Sequence, residues 1–262
     1  MILRRITQHV REQNWTAIAI DFVIVVTGVF LGIQVGDWND GRQERANYER
    51  ALVDLRVSAW DTYIHANERI SIAACRQAEY DRIGRLLIEG NGAWSGLEPR
   101  DFASRAAGVF PDVIRSPQRP RTATLWDTEL NRGTYDLMTS EDRQTLASMF
   151  GGADAIYEFQ HDMRQKEAAL RALAFPQDLS RDQLLHFFQL LNEADQLNSI
   201  IELISGVVLE SIPSMPLLRP DSEAMTEQII DILKEHEANW RGVYGDCVVA
   251  FDEAAFRESI AQ

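Results

Sequence analysis

A near-continuous run of apolar residues between Ala17 and Val35 dominates the N-terminal part of the sequence. Its 19 residues would span about 28 Å as a helix, which matches the apolar core of a bilayer. Trp15 and Trp38 flank the run and predict interfacial anchors of a transmembrane helix over residues 15–38. A buried core helix is the first alternative. A cleaved signal peptide is the second, although its apolar region is usually shorter and ends in a small-residue cleavage site.

The basic residues around this helix predict its orientation. Arg4, Arg5 and Arg11 precede the helix, whereas Arg42 and Arg45 follow it among acidic residues. Because basic residues favour the cytoplasmic side, we expect residues 1–14 to form a basic cytoplasmic tail. Residues 39–262 would then form an acidic helical domain in the periplasm, and the protein would belong to a bacterial inner membrane.

One face of the predicted membrane helix carries small and polar residues. Asp21, Gly28 and Gly32 fall within an arc of about 40° at about 100° per residue, and Gly36 extends the row. Glycines at this spacing allow a second helix to approach closely, and a carboxylate in the membrane favours a polar partner. We therefore expect this face to contact another transmembrane helix, either a second copy or a partner subunit. The alternative is that the carboxylate reaches interfacial water and that the glycines have no partner.

The remaining sequence has helical spacing of apolar residues and few strand signals, which predicts an all-α bundle continuing from the membrane helix. We expect a helix to about Leu87 with a break near Asn39–Gly41, and irregular chain over 90–121. We expect a short helix over 125–131 and a longer one from an N-cap at Ser140 to about Leu173, weakened at Gly151–Gly152. A third helix should run from an N-cap at Ser180 to the prolines at 213–220. The last should run from Asp221 or Ser222 to about Ile260. The predicted buried residues of the Ser180 helix are Leu184, Phe187, Phe188, Leu191, Leu197, Ile200, Ile201 and Ile204.

Two stretches of the sequence resemble an uncharacterised family of bacterial single-pass membrane proteins, a domain of unknown function. The first comprises Asp21, Gly28, Gly32, Gln34, Trp38 and Asn39, and the second comprises Leu125, Glu129-Leu130, Gly133, Leu137-Met138 and Arg143. The similarity covers roughly residues 10–150, and the family pattern usually has Glu where this chain has Asp21. The resemblance implies a membrane helix followed by a helical extracytoplasmic domain, and it implies no activity.

Charge and candidate chemistry exclude several classes of function. The net charge is −14, which makes nucleic acid an unfavourable partner because phosphates would be repelled. The five histidines show no metal-ligand spacing, and the sequence has no phosphate loop, dinucleotide fingerprint or nucleophile elbow. We therefore predict no catalytic residue, no metal and no cofactor.

The two cysteines, Cys75 and Cys247, are the remaining candidates for chemistry. In an oxidising periplasm such a pair favours a disulfide over two buried free thiols.

These features lead to three functional hypotheses. The first is a non-enzymatic interaction or assembly protein, an accessory subunit of an inner-membrane complex whose partners are the lipid bilayer and another transmembrane helix. The second is a periplasmic ligand-sensing domain that signals through a partner. The third is a membrane-anchored hydrolase whose site is assembled from residues distant in the sequence.

Overall fold

Helices form nearly all of the regular structure in the computed structural model, which describes residues 15–97, 117 and 123–261. The helices are α1 (Trp15–Ser71), α2 (Ala73–Glu89), α3 (Ala123–Asn131), α4 (Ser140–Leu170), α5 (Arg181–Ser214), α6 (Glu223–Tyr244) and α7 (Glu253–Ala261). Two-residue strands, β1 (Ala93–Trp94) and β2 (Gln177–Asp178), pair antiparallel with Ala93 opposite Asp178. The predicted all-α class is confirmed.

Three parts of the sequence lie outside the described residues. These are the basic segment 1–14, most of the region predicted to be irregular, residues 98–122 except Pro117, and residue 262. The chain divides into two compact units, Met1–Ala51 and Leu52–Gln262.

The described part of the first unit is helical and exposes its apolar side chains. Phe22, Val23, Ile24 and Val25, which together make one full turn, are 68%, 60%, 63% and 47% exposed. Two helical segments are long and apolar enough to cross a membrane, Ile18–Glu89 and Arg181–Ser214. The core helix of a soluble protein can have the same length and composition. The apolar stretch in the first has no buried residue, whereas 33% of that in the second is buried.

The predicted break near Asn39–Gly41 is wrong, because α1 continues through these residues. A glycine inside a helix costs only about 1 kcal/mol relative to alanine, which the surrounding helix can override. The chain breaks instead at Ile72, between α1 and α2. Ser71, the last residue of α1, turns its hydroxyl back to donate to the carbonyl of Glu68 at 2.8 Å.

The core of the second unit joins α2, α4 and α5. Tyr80, Ile83 and Leu87 of α2 pack with Met163 of α4 and Leu191 of α5 in one cluster. The two strands cover one end of this cluster, where the indole of Trp94 donates to the carbonyl of Leu173 at 2.7 Å.

The helix ends confirm two predicted caps and correct a third. Ser180 begins α5 with a reciprocal capping box to Gln183, and Ser222 accepts from Met225 N at 3.3 Å at the start of α6. The cap of α4 is Thr139 rather than Ser140, since its hydroxyl accepts from Asp142 N at 3.1 Å.

Of the other predicted helix ends and interruptions, the weakening at Gly151–Gly152 is absent, the end of α5 at the prolines is confirmed, and the end of the last long helix lies earlier in the chain than predicted. α4 continues through Gly151–Gly152, because its packing against α5 stabilises the helix there. Pro213 lies inside the last turn of α5, one residue before that helix ends. α6 ends at Tyr244, ahead of Gly245 with φ of 76°, so it does not reach Ile260.

The buried face of α5 is narrower than predicted. Phe187, Leu191 and Ile201 are buried, whereas Phe188 and Ile200 are 39% and 40% exposed. Phe188 and Ile200 each lie about 100° from a buried neighbour on the helix, which places them at the edge of the packed face.

Candidate functional site

The face of α1 that carries Asp21, Gly28, Gly32 and Gly36 has no packing partner among the described residues. A Cβ atom added at any of the three glycines would meet no heavy atom within 4 Å. The prediction that another helix covers this face therefore stays a prediction.

The two tryptophans that flank the apolar run are both exposed. Trp15 is 76% exposed and Trp38 is 64% exposed. The guanidinium of Arg42 lies 5.0 Å from the ring centroid of Trp38, a cation–π contact. An indole ring has an apolar body and a polar N–H group, so it suits the boundary between lipid and water. The role of Trp15 and Trp38 as interfacial anchors stays a prediction from the sequence.

Cys75 and Cys247 lie at disulfide distance, as the sequence predicts. Their Cα atoms are 5.1 Å apart and their sulfur atoms are within bonding distance. Cys75 lies near the start of α2, and Cys247 ends the short turn that follows α6. The two segments also meet through their backbones, because Val249 N donates to Ser71 O at 2.8 Å.

The second stretch that carries the family resemblance forms a compact turn between α3 and α4. Gly133 has φ of 71°, in the left-handed region where glycine avoids steric cost. Glu129 accepts from the side chains of Arg132 at 2.6 Å and Thr134 at 2.8 Å. Arg143 donates to the carbonyls of Tyr135 at 2.9 Å and Met138 at 3.4 Å.

An aromatic stack supports the same turn from the core side. Trp126 stacks on Tyr135 and Phe150, with ring centroids 4.9 Å and 5.7 Å apart. The three rings are buried, and Glu129 and Arg143 bond to groups of the turn itself, which favours a structural role for this stretch.

A groove of about 300 Å³ lies between α2 and α5. The two helices run antiparallel here: Gly84 approaches Phe188, whereas Tyr80, four residues earlier in α2, bonds to Asn198, ten residues later in α5. The groove is lined by Gln77, Tyr80, Asp81, Gly84, Arg85 and Ile88 of α2 and by Phe188, Leu191, Asn192 and Asp195 of α5.

A buried polar network lies beside this groove. Arg76 is 1% exposed and forms an ion pair with Glu202. Asn198, also 1% exposed, donates from Nδ2 to the hydroxyl of Tyr80 at 2.7 Å. Burial raises the pKa of Tyr80 above its ordinary value, so this phenol is neutral at physiological pH.

Asp195 connects the network to the groove. Burial raises the pKa of the Asp195 carboxyl, and the nearby carboxylates of Glu202 and Asp81 raise it further against the opposing effect of Arg76. Sequence reasoning missed this group. The available signal was the spacing of Asp195, Asn198 and Glu202 along the face of α5 that also carries buried apolar residues.

The described residues contain no group of three or more His, Cys, Asp or Glu side chains that could hold a metal ion. Comparisons with family models, curated proteins and solved structures find no match to this chain.

Proposed function

We propose that the chain is a non-enzymatic interaction or assembly protein anchored in the bacterial inner membrane by residues 15–38. The observation that carries the proposal is the apolar surface of α1, where consecutive large side chains are exposed in every direction around the helix. A helix that is apolar on all sides is stable when lipid or protein surrounds it. A length of about 28 Å for residues 17–35 suits lipid.

The location of the large domain in the periplasm is part of the same proposal. Arg4, Arg5 and Arg11 favour a cytoplasmic N-terminus. The proximity of Cys75 and Cys247 supports an oxidising compartment for the other side, because such pairs persist as disulfides there. The resemblance to the family of single-pass membrane proteins supports the same topology, and we propose membership of that family.

The partner that we propose for the membrane helix is another transmembrane helix, in a second copy or in a different subunit. Gly28 and Gly32 leave an open stripe with nothing within 4 Å of a Cβ position. Two backbones that meet along such a stripe gain dispersion contacts, and Asp21 on the same arc could accept a hydrogen bond from the partner.

Site-specific crosslinking in native membranes tests this proposal. A photoreactive residue at Val25, about 60° from Gly28, should crosslink to protein, whereas one at Phe30, about 200° away, should face lipid. The mass of the adduct distinguishes a second copy from another subunit. Equal crosslinking yields from the two positions would argue against a specific helix contact.

A matched pair of substitutions separates close packing from a general effect of bulk. Gly32→Leu should reduce crosslinking from Val25 because it fills the stripe, whereas Val26→Leu, about 160° from Gly28, should leave it unchanged. The same effect from both substitutions would contradict the glycine-stripe contact. Asp21→Asn then separates charge from packing, because it removes the charge and keeps a polar amide.

A further inference from the structure

The α2–α5 groove is divided into a polar end and an apolar end. Asp81 of α2 and Asp195 of α5 line the polar end together with Gln77 and Asn192. The apolar end is formed by Ile88 of α2 with Phe188 and Leu191 of α5. Ile88 is 68% exposed and Phe188 is 39% exposed, so large apolar surface remains open to solvent there.

The negative charges of Asp81 and Asp195 are offset by few positively charged or hydrogen-bonding side chains in the described part of the chain. Asp81 accepts one long hydrogen bond, 3.3 Å from Gln77 Nε2, and neither carboxylate forms an ion pair with a described residue. Arg76, the cation that acts on Asp195, is already paired with Glu202. Arg85 also lines the groove, so the three charged groups that line it sum to −1.

Gly84 lines the groove opposite Phe188. A glycine inside a helix costs about 1 kcal/mol relative to alanine, yet no left-handed backbone requires one at this position of α2. A Cβ atom here would meet only Phe188 Cε2, at 3.8 Å, which is an ordinary contact. Neither backbone conformation nor packing therefore accounts for this glycine, and its effect is to leave the groove open.

We propose that this groove binds a small organic monocation, an ammonium or guanidinium group on a short chain that ends in an aromatic or aliphatic body. The cation lies between Asp81 and Asp195, and the body contacts Phe188, Leu191 and Ile88. A groove of about 300 Å³ is at the lower end of ligand-site volumes, which favours a small ligand. The inference is independent of the membrane anchor and its partner helix.

The test titrates three probes of similar shape into the full chain in neutral maltoside micelles. The probes are phenethylamine as the cation, 2-phenylethanol as the neutral analogue and phenylacetate as the anion. The Ile88 methyl signal, observed by ¹³C-methyl NMR and assigned with Ile88→Val, reports on the groove. We expect a saturable shift with the amine alone. Equal shifts with the amine and the alcohol would overturn the proposal, since they indicate partition of the phenyl group into micelle or protein.

Charge variants give the second arm of the test. Asp81→Asn and Asp195→Asn should each weaken amine binding about fivefold, whereas Asp231→Asn, on the exposed side of α6, should leave it unchanged. Arg85→Gln should strengthen binding, because it removes the one positive charge in the groove lining. Wild-type affinity in both groove aspartate variants would overturn the proposal, and their folded state is checked in the same spectra.

Discussion

Removing the bond between Cys75 and Cys247 should strongly destabilise the second unit. The two residues are 172 positions apart, and the chain-entropy model gives about 5 kcal/mol for closing a loop of this size in the unfolded state. Whole domains are typically stable by about 5–15 kcal/mol, so this loss is large. The measurement is urea unfolding of the full chain in micelles, followed by circular dichroism with and without reductant.

Single and double alanine variants separate the covalent bond from side-chain packing. Cys75 is 5% exposed and lies in the core, so its replacement also removes some packing. If the bond dominates, Cys75→Ala, Cys247→Ala and the double variant should all lose about 5 kcal/mol. The double variant should also be insensitive to reductant. The bond would be refuted if the stability losses of the two single variants added up in the double variant. It would also be refuted if the wild-type protein unfolded at the same urea midpoint with and without reductant.

Two further predictions concern side chains that hold turns together. Arg143→Ala should lower the free energy of unfolding by about 2 kcal/mol, because two turn carbonyls lose a charged donor. Arg132→Ala, which removes a side chain that is 68% exposed, should cost less than about 1 kcal/mol in the same urea titration. The Glu237 carboxylate accepts a hydrogen bond from Phe251 N. This bond, together with Arg241, holds the pKa of Glu237 below its ordinary value of 4.5. Its stabilisation is therefore fully present above about pH 4.5 and lost as pH falls below that value. Glu237→Gln should flatten this acid dependence in thermal unfolding, and the exposed Glu235→Gln should leave it intact.

Local signals in the sequence predicted the helix starts well, because they act through neighbouring atoms. Ser180 and Ser222 cap helices because each hydroxyl accepts a hydrogen bond from the backbone N–H group three residues ahead. The helix break was not predictable in the same way. Gly41 lies inside a continuous helix, whereas the chain breaks at Ile72, a residue with no breaking tendency of its own.

The candidate groove could not be predicted, because it depends on two helices far apart in the sequence. Asp81 and Asp195 meet only because α2 and α5 pack antiparallel, and no local pattern specifies that register. The pairing of Cys75 with Cys247 was predictable by a different route. The chain has two cysteines and a predicted oxidising compartment, so one pairing was possible.

A topology reporter tests the central claim of a membrane anchor with an exported domain. Alkaline phosphatase, which is active only in the periplasm, would be fused after Gln262 in one strain and before Met1 in another. The account predicts activity for the first fusion alone, with the full-length fusion retained in membranes after alkaline extraction. Activity of the N-terminal fusion, or release of the chain into the soluble fraction, would contradict it.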